Sequence, residues 1–209
     1  MDVLLCVLAA AIAYLLGSVS FAYIITKLVT GQDIRNIGSG SAGTTNTARA
    51  VGKPLAALVM ALDILKGFVS TEIGLMLAGE TGGLLAFVFV IIGHTFPFWL
   101  KFHGGKGVAC GAGSLLALSP TVFLIALTGF VLLVALTGYV SAGSICACLL
   151  LIVSSLVMPE PLLFRVLYIA MACTVLFLHR ANIKRLLNGT ESKTFHKRRL
   201  FISEVKGNG

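Results

Sequence analysis

A chain of 209 residues that is 57% hydrophobic and 11% charged carries more apolar surface than a soluble fold of this size can hide. With a mean hydropathy of +1.00 it is predicted to be an all-α, polytopic integral membrane protein. The formal net charge of +8 is read as lysine and arginine gathered on one side of a bilayer, so no nucleic-acid partner is expected.

The first apolar segment covers residues 3–28. It follows Asp2 without a basic start or an Ala-x-Ala site, so a retained span is expected and not a signal peptide. Tyr14, Gly17, Ser18, Ser20 and Tyr23 interrupt it, and small residues of this kind allow close helix packing in lipid. A polar stretch follows, to Lys53. Pro54 suits a first helical turn and opens segment two, which continues to about Ala78. Glu80-Thr81-Gly82-Gly83 reads as a tight turn, segment three covers residues 84–100, and residues 101–107 form a second polar stretch. Pro120 and Thr137-Gly138-Tyr139 divide the next apolar region into segments four (108–118), five (121–136) and six (140–157). Met158-Pro159-Glu160-Pro161 closes six, and segment seven covers residues 162–178. A single domain is expected over residues 1–209, with a basic cytoplasmic tail over 179–209. Cysteines at 6, 110, 146, 148 and 173 show no C-x-x-C spacing and read as small packing residues.

Charge placement supports seven crossings. Lys27, Arg35, Arg49 and Lys53 flank the first polar stretch, and Lys101 and Lys106 lie in the second. Arg180, Lys184, Arg185, Lys193, Lys197, Arg198, Arg199 and Lys206 fill the tail, while the opposite turns carry Glu80 and Glu160. Placing all three basic regions in the cytoplasm requires an odd count, with the N-terminus outside and the C-terminus inside. Segment four rises only about 16 Å, against a hydrocarbon core of about 30 Å. It is expected to be a half-helix buried among its neighbours, as is common around binding sites.

The chemistry gathers in the three basic regions. Gly38-Ser39-Gly40-Ser41-Ala42-Gly43-Thr44-Thr45-Asn46 has glycines that let successive N–H groups point into one concavity, hydroxyls that add donors, and Arg35 and Arg49 on either side. The stretch reads as a phosphate cradle, with a plain flexible loop as the alternative. Its G-x-G-x-x-G spelling is not a dinucleotide fingerprint, because residues 33–37 are too short and charged for a buried strand. In the second region, Gly93-His94-x-x-Pro97 precedes Phe102-His103-Gly104-Gly105-Lys106-Gly107. Walker A fails here, since Leu100 stands for its first glycine and Gly107 for its hydroxyl. Gly104 and Gly105 nevertheless offer backbone N–H groups beside a helix start and the Lys106 ammonium, a set that suits phosphate. In the third region His179, Asn182 and Arg185 recur at helical i, i+3, i+6 spacing and are expected to face one site, with carbonyl capping as the alternative for His179. Asp63 and Lys66, at i, i+3 within segment two, read either as a structural ion pair or as site residues. Arg165 is expected to snorkel, and the Asn188-Gly189-Thr190 sequon is discounted by its place in the tail. There is no G-x-S-x-G elbow, no His-x-x-x-x-Asp pattern and no carboxylate cluster for magnesium. Backbone amides, arginine and lysine are therefore expected to balance the substrate charge without metal or cofactor.

These motifs together resemble the PlsY family, the bacterial acyl-phosphate:glycerol-3-phosphate acyltransferases. The resemblance rests on Gly17-Ser18, residues 38–46 with Arg49, Asp63-x-x-Lys66-Gly67, Gly93-His94-x-x-Pro97 with residues 104–109, and His179-Arg180-x-Asn182-Ile183 with Gly189-x-Glu191. It implies an enzyme of the bacterial inner membrane, facing the cytoplasm, that moves a fatty acyl group from acyl phosphate to the 1-hydroxyl of glycerol 3-phosphate. The products would be lysophosphatidic acid and inorganic phosphate, in the first step of phospholipid synthesis. By motif the catalytic set maps onto Ser39, Arg49, Lys106, His179 and Asn182, with Gly38, Gly40, Ser41, Gly43, Thr45, Asn46, Gly104 and Gly105 as phosphate-binding residues. Ser41 departs from the family, whose loop usually has asparagine there. The bilayer and the two substrates are the implied partners, and a monomer is expected. The competing class is a transporter of a phosphorylated metabolite.

Overall fold

The computed structural model describes residues 2–193, and every regular element among them is helical. Asp2 caps α1 (Val3–Ser18) by accepting from the Leu4 N–H. The first segment does not continue unbroken to residue 28. Val19 and Ser20 leave the helical region, and Ser20 Oγ starts α2 (Phe21–Thr30) by accepting from Tyr23 N–H. The break strands two carbonyls inside an apolar environment, where unmet polar groups are costly. Trp99 Nε1 donates to Ser18 O at 2.8 Å, and Lys66 Nζ donates to Val19 O at 2.7 Å.

α3 (Thr44–Val51) starts within the first polar stretch, so Thr44, Thr45 and Asn46 form a helical first turn and not a loop. α4 (Lys53–Thr95) has Pro54 in its first turn, as expected, but Ala78 and Gly79 (φ 60°) leave helical geometry and divide it into two arms. The turn thus falls just before Glu80-Thr81-Gly82-Gly83, which belong to the second arm. The arms are antiparallel: a Cβ on Gly74 would strike the Gly82 carbonyl and the reverse, while Lys66 meets His94 further along. The second arm stops at Thr95, short of residue 100, and a 3-10 turn (Phe98–Leu100) follows. α5 (Val108–Leu118), α6 (Pro120–Thr137), α7 (Val140–Val157) and α8 (Leu162–Leu178) follow the expected segments closely. α9 (Arg180–Leu187) bends 56° away from α8.

Small residues bring the helices together where the site needs them close. Gly67 on α4 lies against the Cys110 carbonyl of α5, and Gly113 of α5 lies against Ile64. The 11-residue α5 is thereby held inside the bundle with its N-terminus facing the polar loops. Leu84, Phe87, Val90 and Ile91 of the second arm form the core with Tyr168 of α8, whose ring meets Phe87 edge-on at 5.4 Å.

Among the described residues, four helical stretches are long and apolar enough to cross a membrane, five if the bent α8–α9 pair counts as one. One of the four, residues 53–100, is the folded α4 hairpin. Large apolar side chains stay exposed around the bundle, including Met76 at 82% and Leu136 at 81%, a surface that suits lipid. The fold is that of an all-α integral membrane protein. Lys197, Arg198, Arg199 and Lys206 of the basic tail lie outside the described residues.

Candidate active site

The three basic regions, far apart in sequence, border one cavity of about 390 Å³. Ser39, Ser41, Gly43, Thr45 and Asn46 line it from the first region with Arg49, Lys106 lines it from the second, and His179 and Asn182 from the third. Away from this polar head, the cavity continues as an apolar gallery between α4, α5, α6, α7 and α8, with Phe87, Phe130, Leu151 and Met171 among its walls. One space therefore offers an anion-binding head and a hydrocarbon-binding body.

The two glycine-rich loops reach this arrangement differently from the sequence expectation. Gly38 and Gly40 both adopt positive φ (56° and 72°), but neither lines the cavity. Three of the loop amides are engaged inside the protein: Ser39 N–H donates to Asn46 Oδ1 at 3.0 Å, Gly40 N–H to Ile37 O, and Ala42 N–H to Gly104 O. Asn46 is buried and both its Nδ2 donors are used, on Ile34 O and Ile37 O at 3.1 and 2.8 Å. It shapes the loop from the cavity wall.

Gly104 and Gly105 are engaged in the same way. Their N–H groups donate to Thr95 O and His94 O, both at 3.0 Å, and neither residue lines the cavity. A Cβ on Gly105 would collide with His94 Nε2, and one on Gly104 with the His94 carbonyl. These glycines let the loop fold onto His94 and so set the position of Lys106. The starts of two helices remain as donors for an anion. Neither α3 nor α5 has a side-chain N-cap, and Gly43, Thr44 and Thr45 of one and Gly107, Val108 and Ala109 of the other line the cavity.

Arg35 is not a free cation either. It is ion-paired with Asp33 at 2.6 Å and donates to Leu100 O at 2.6 Å, tying the first polar region to the second. The hydrogen bonds from the Arg35 guanidinium hold the Asp33 carboxyl below its usual range. Arg49 is exposed and donates to Ser192 Oγ at 3.1 Å.

Lys106 Nζ donates to Asn182 Oδ1. Asn182 Nδ2 donates in turn to Glu191 Oε1 at 2.7 Å, and Ser141 Oγ of α7 donates to the same oxygen at 2.8 Å. Arg185 Nε meets Glu191 Oε2 at 2.6 Å, so Arg185 stands behind the carboxylate and does not line the cavity with His179 and Asn182. Burial pushes the Glu191 carboxyl up, but the hydrogen bonds from Asn182, Arg185 and Ser141 outweigh it and leave it below its usual range. Burial pushes the Lys106 ammonium down to about 8; Arg185 and Arg49 act in the same direction and Glu191 opposes them. His179 Nδ1 lies 2.8 Å from Val175 O, and a carbonyl only accepts. The neutral ring therefore carries its proton on Nδ1 and keeps a lone pair on Nε2.

A second polar cluster lies between the α4 arms. Lys66 Nζ is 2.8 Å from Asp63 Oδ1 and 3.0 Å from His94 Nδ1, so Asp63 and Lys66 do form a buried ion pair, and Asp63 and His94 also line the cavity. Asp63, His94 and Cys110 have metal-ligand spacing, but the Lys66 ammonium already bonds to two of them and supplies the positive charge.

Residues 7–189 match the family described as glycerol-3-phosphate acyltransferase. The chain belongs to the glycerol-3-phosphate acyltransferase family. Its family relatives include the glycerol-3-phosphate acyltransferase of Thermoanaerobacter sp. (strain X514), 44% identical over 191 residues that cover 91% of this chain and 96% of that one. The enzyme of that name from Clostridioides difficile (strain 630) is 41% identical over 208 residues, covering 95% and 100%. Among solved structures, the glycerol 3-phosphate form of PlsY (YgiH), an integral membrane glycerol 3-phosphate acyltransferase, gives a TM-score of 0.85 at 35% identity over 91% of this chain and 96% of that one. Its lysophosphatidic acid form gives 0.80 at 34% identity, over 90% and 94%. The resemblance read from the motifs is borne out.

Two residues of this glycerol-3-phosphate acyltransferase family member were visible in its motifs but had no role there. Glu191 is an isolated carboxylate in a basic stretch, and that isolation is its one sequence signal; the structure buries it among cations. His94 was recognisable only as part of a pattern. Ser141 and Ser192 carry no sequence signal.

Proposed function

We propose that this protein transfers a fatty acyl group from acyl phosphate to the 1-hydroxyl of glycerol 3-phosphate, giving lysophosphatidic acid and inorganic phosphate. The observation that carries the reading is the cavity itself, in which Ser39, Arg49, Lys106, His179, Asn182 and two uncapped helix starts stand at the head of an apolar gallery. The head suits two phosphates and the gallery suits an acyl tail. Ser41, Gly43 and Thr45 would contribute to phosphate binding from the first region.

Acyl phosphate is a mixed anhydride with a good leaving group, so positioning and charge stabilisation supply most of what the reaction needs. Lys106 and Arg49 offset the repulsion of the two dianions, and Asn182 holds the Lys106 ammonium in place. The C1 hydroxyl oxygen bonds to the carbonyl carbon, the carbon–oxygen bond to phosphate breaks, and the hydroxyl proton passes to a phosphate oxygen. His179 Nε2, with its lone pair, is the alternative acceptor of that proton. Seven crossings in one domain, with the head on the cytoplasmic side of a bacterial inner membrane, are supported by the placement of the basic loops. As a monomer it already contains every group named.

The test is phosphate release by protein purified in detergent and given palmitoyl phosphate and glycerol 3-phosphate, with palmitoyl-CoA as control donor. The expected result is phosphate and lysophosphatidic acid in equal amounts from the acyl phosphate alone. A transporter of phosphorylated metabolites would release no phosphate without a second compartment, and that outcome would remove the enzyme reading.

A further inference from the structure

We infer that His94 is a hydrogen-bond donor to the carbonyl oxygen of the acyl donor, its proton fixed on Nε2 by Lys66. The inference rests on the acyl-transfer reading above and deepens it.

The tautomer follows from the neighbours. Lys66 Nζ lies 2.8 Å from the buried Asp63 carboxylate, which keeps it an ammonium, and an ammonium has no lone pair to offer. The same Nζ is 3.0 Å from His94 Nδ1 and donates to Val19 O at 2.7 Å. Nδ1 must therefore accept, and the single proton of the neutral ring sits on Nε2. His179 has the opposite arrangement, with Nδ1–H on Val175 O. One cavity is thus bordered by two imidazoles of opposite tautomer, His94 offering a donor and His179 an acceptor.

Position supplies the role. Phe87, Ile91 and His94 recur at helical spacing on the second arm of α4, and all three line the cavity. The face is apolar along Phe87 and Ile91 and becomes polar at His94. With an acyl tail in the gallery and its phosphate in the head, the reacting carbonyl falls at that change. Among the described residues no hydrogen bond reaches His94 Nε2, whereas Nδ1 is engaged. Gly105 lacks a Cβ at the place where the edge of the His94 ring bearing Nε2 passes, so the loop that presents Lys106 is fitted around this imidazole.

The step balances without proton loss from His94. As the hydroxyl oxygen bonds to the carbonyl carbon, the carbonyl π pair moves to its oxygen, where the Nε2–H hydrogen bond strengthens. The pair then returns, the bond to phosphate oxygen breaks, and Nε2 keeps its hydrogen.

The full chain purified in detergent tests this with palmitoyl phosphate as donor. His94→Ala is expected to lower kcat about 10²-fold, the usual cost of a lost oxyanion donor, with KM for glycerol 3-phosphate changed less than about threefold. His94→Gln, which keeps an N–H donor, is expected to recover at least about tenfold over His94→Ala. Nitrogen-15 spectra of wild-type protein with ring-labelled histidine should show one buried histidine protonated on Nε2, lost in His94→Gln, and another protonated on Nδ1, lost in His179→Gln. A His94→Ala protein with near-normal kcat, or a His94 ring protonated on Nδ1, overturns the inference. If His94→Ala does not fold, His94→Phe, which keeps a ring but has no N–H, must show the same fall in kcat or the inference fails. A wild type that transfers no acyl group overturns the acyl-transfer reading and this role with it, whereas an active wild type with an active His94→Ala overturns this role alone.

Discussion

The Lys106 ammonium donates to the amide oxygen of Asn182, 76 positions further along the chain. Glu191 fixes that amide from behind, because its carboxylate accepts from Asn182 Nδ2, Ser141 and Arg185 together. The cation at the head of the cavity is therefore aimed by a buried chain of hydrogen bonds that starts on another helix. Hydrogen bonds to charged groups are worth about 1.5–3 kcal/mol. Asn182→Leu is expected to lower kcat about 10–10²-fold in the phosphate-release assay. Glu191→Ala should lower both kcat and the thermal midpoint, since it orphans Asn182, Ser141 and Arg185 at once. Unchanged kinetics in both variants would show that Lys106 needs no such support.

The acidity of Lys106 sets an alkaline limit. With the ammonium pushed from its ordinary 10.5 down to about 8, chiefly by burial, the free enzyme loses its cation as pH rises through that value. Activity that depends on the charged form is present below about 8 and lost above it, so kcat/KM should fall with a slope near −1 on that limb. Bound phosphate stabilises the ammonium, and the corresponding limb of kcat should lie at higher pH. Lys106→Arg should remove the limb altogether. A wild-type kcat/KM that stays flat through about pH 9.5 would contradict this.

Asn46 is expected to act on stability as well as on rate. Its side chain accepts from Ser39 N–H and donates to Ile34 O and Ile37 O, and each buried group left unmatched costs about 1–3 kcal/mol. Asn46→Ala should lower the midpoint of thermal unfolding in detergent together with activity. A raised KM for glycerol 3-phosphate at an unchanged midpoint would instead return Asn46 to a direct binding role.

The Asp63–Lys66 pair makes a separable prediction. Lys66→Met leaves a carboxylate buried at 1% exposure without its cation, a change that typically costs about 3–5 kcal/mol. Adding Asp63→Asn should restore much of the lost stability, because the orphaned charge is gone. A Lys66→Met protein as stable as the wild type would show that the pair is not what holds the α4 arms to the α1–α2 break.

Proline and glycine punctuation made much of the helix order legible. Pro120, Gly138 and Pro161 bracket α6, α7 and α8 closely enough that their limits were readable from residue type alone. The break at Val19 is marked only by Gly17, Ser18 and Ser20, which did not show that the helix ends there, because the break is stabilised by Lys66 and Trp99, 47 and 81 positions away. The site was legible as residue types but not as roles. Glycine-rich loops advertise free amides, yet whether an amide is free depends on which carbonyl the fold brings to it, and here Asn46, His94 and Thr95 claim most of them. What survives for an anion, the starts of α3 and α5 with Lys106, depends on Gly67 and Gly113 drawing α5 into the bundle. That is a property of packing and not of the loop sequence.

Steady-state kinetics of Lys106→Ala, purified in detergent with palmitoyl phosphate and glycerol 3-phosphate, test the central claim most directly, because the Asn182–Glu191 chain of hydrogen bonds is built to hold this ammonium. The account predicts a fall in kcat/KM of at least about 10²-fold with an unfolding midpoint close to that of the wild type. A loss of less than about threefold would contradict it, since a cation that can be removed so cheaply does not hold the substrate phosphates.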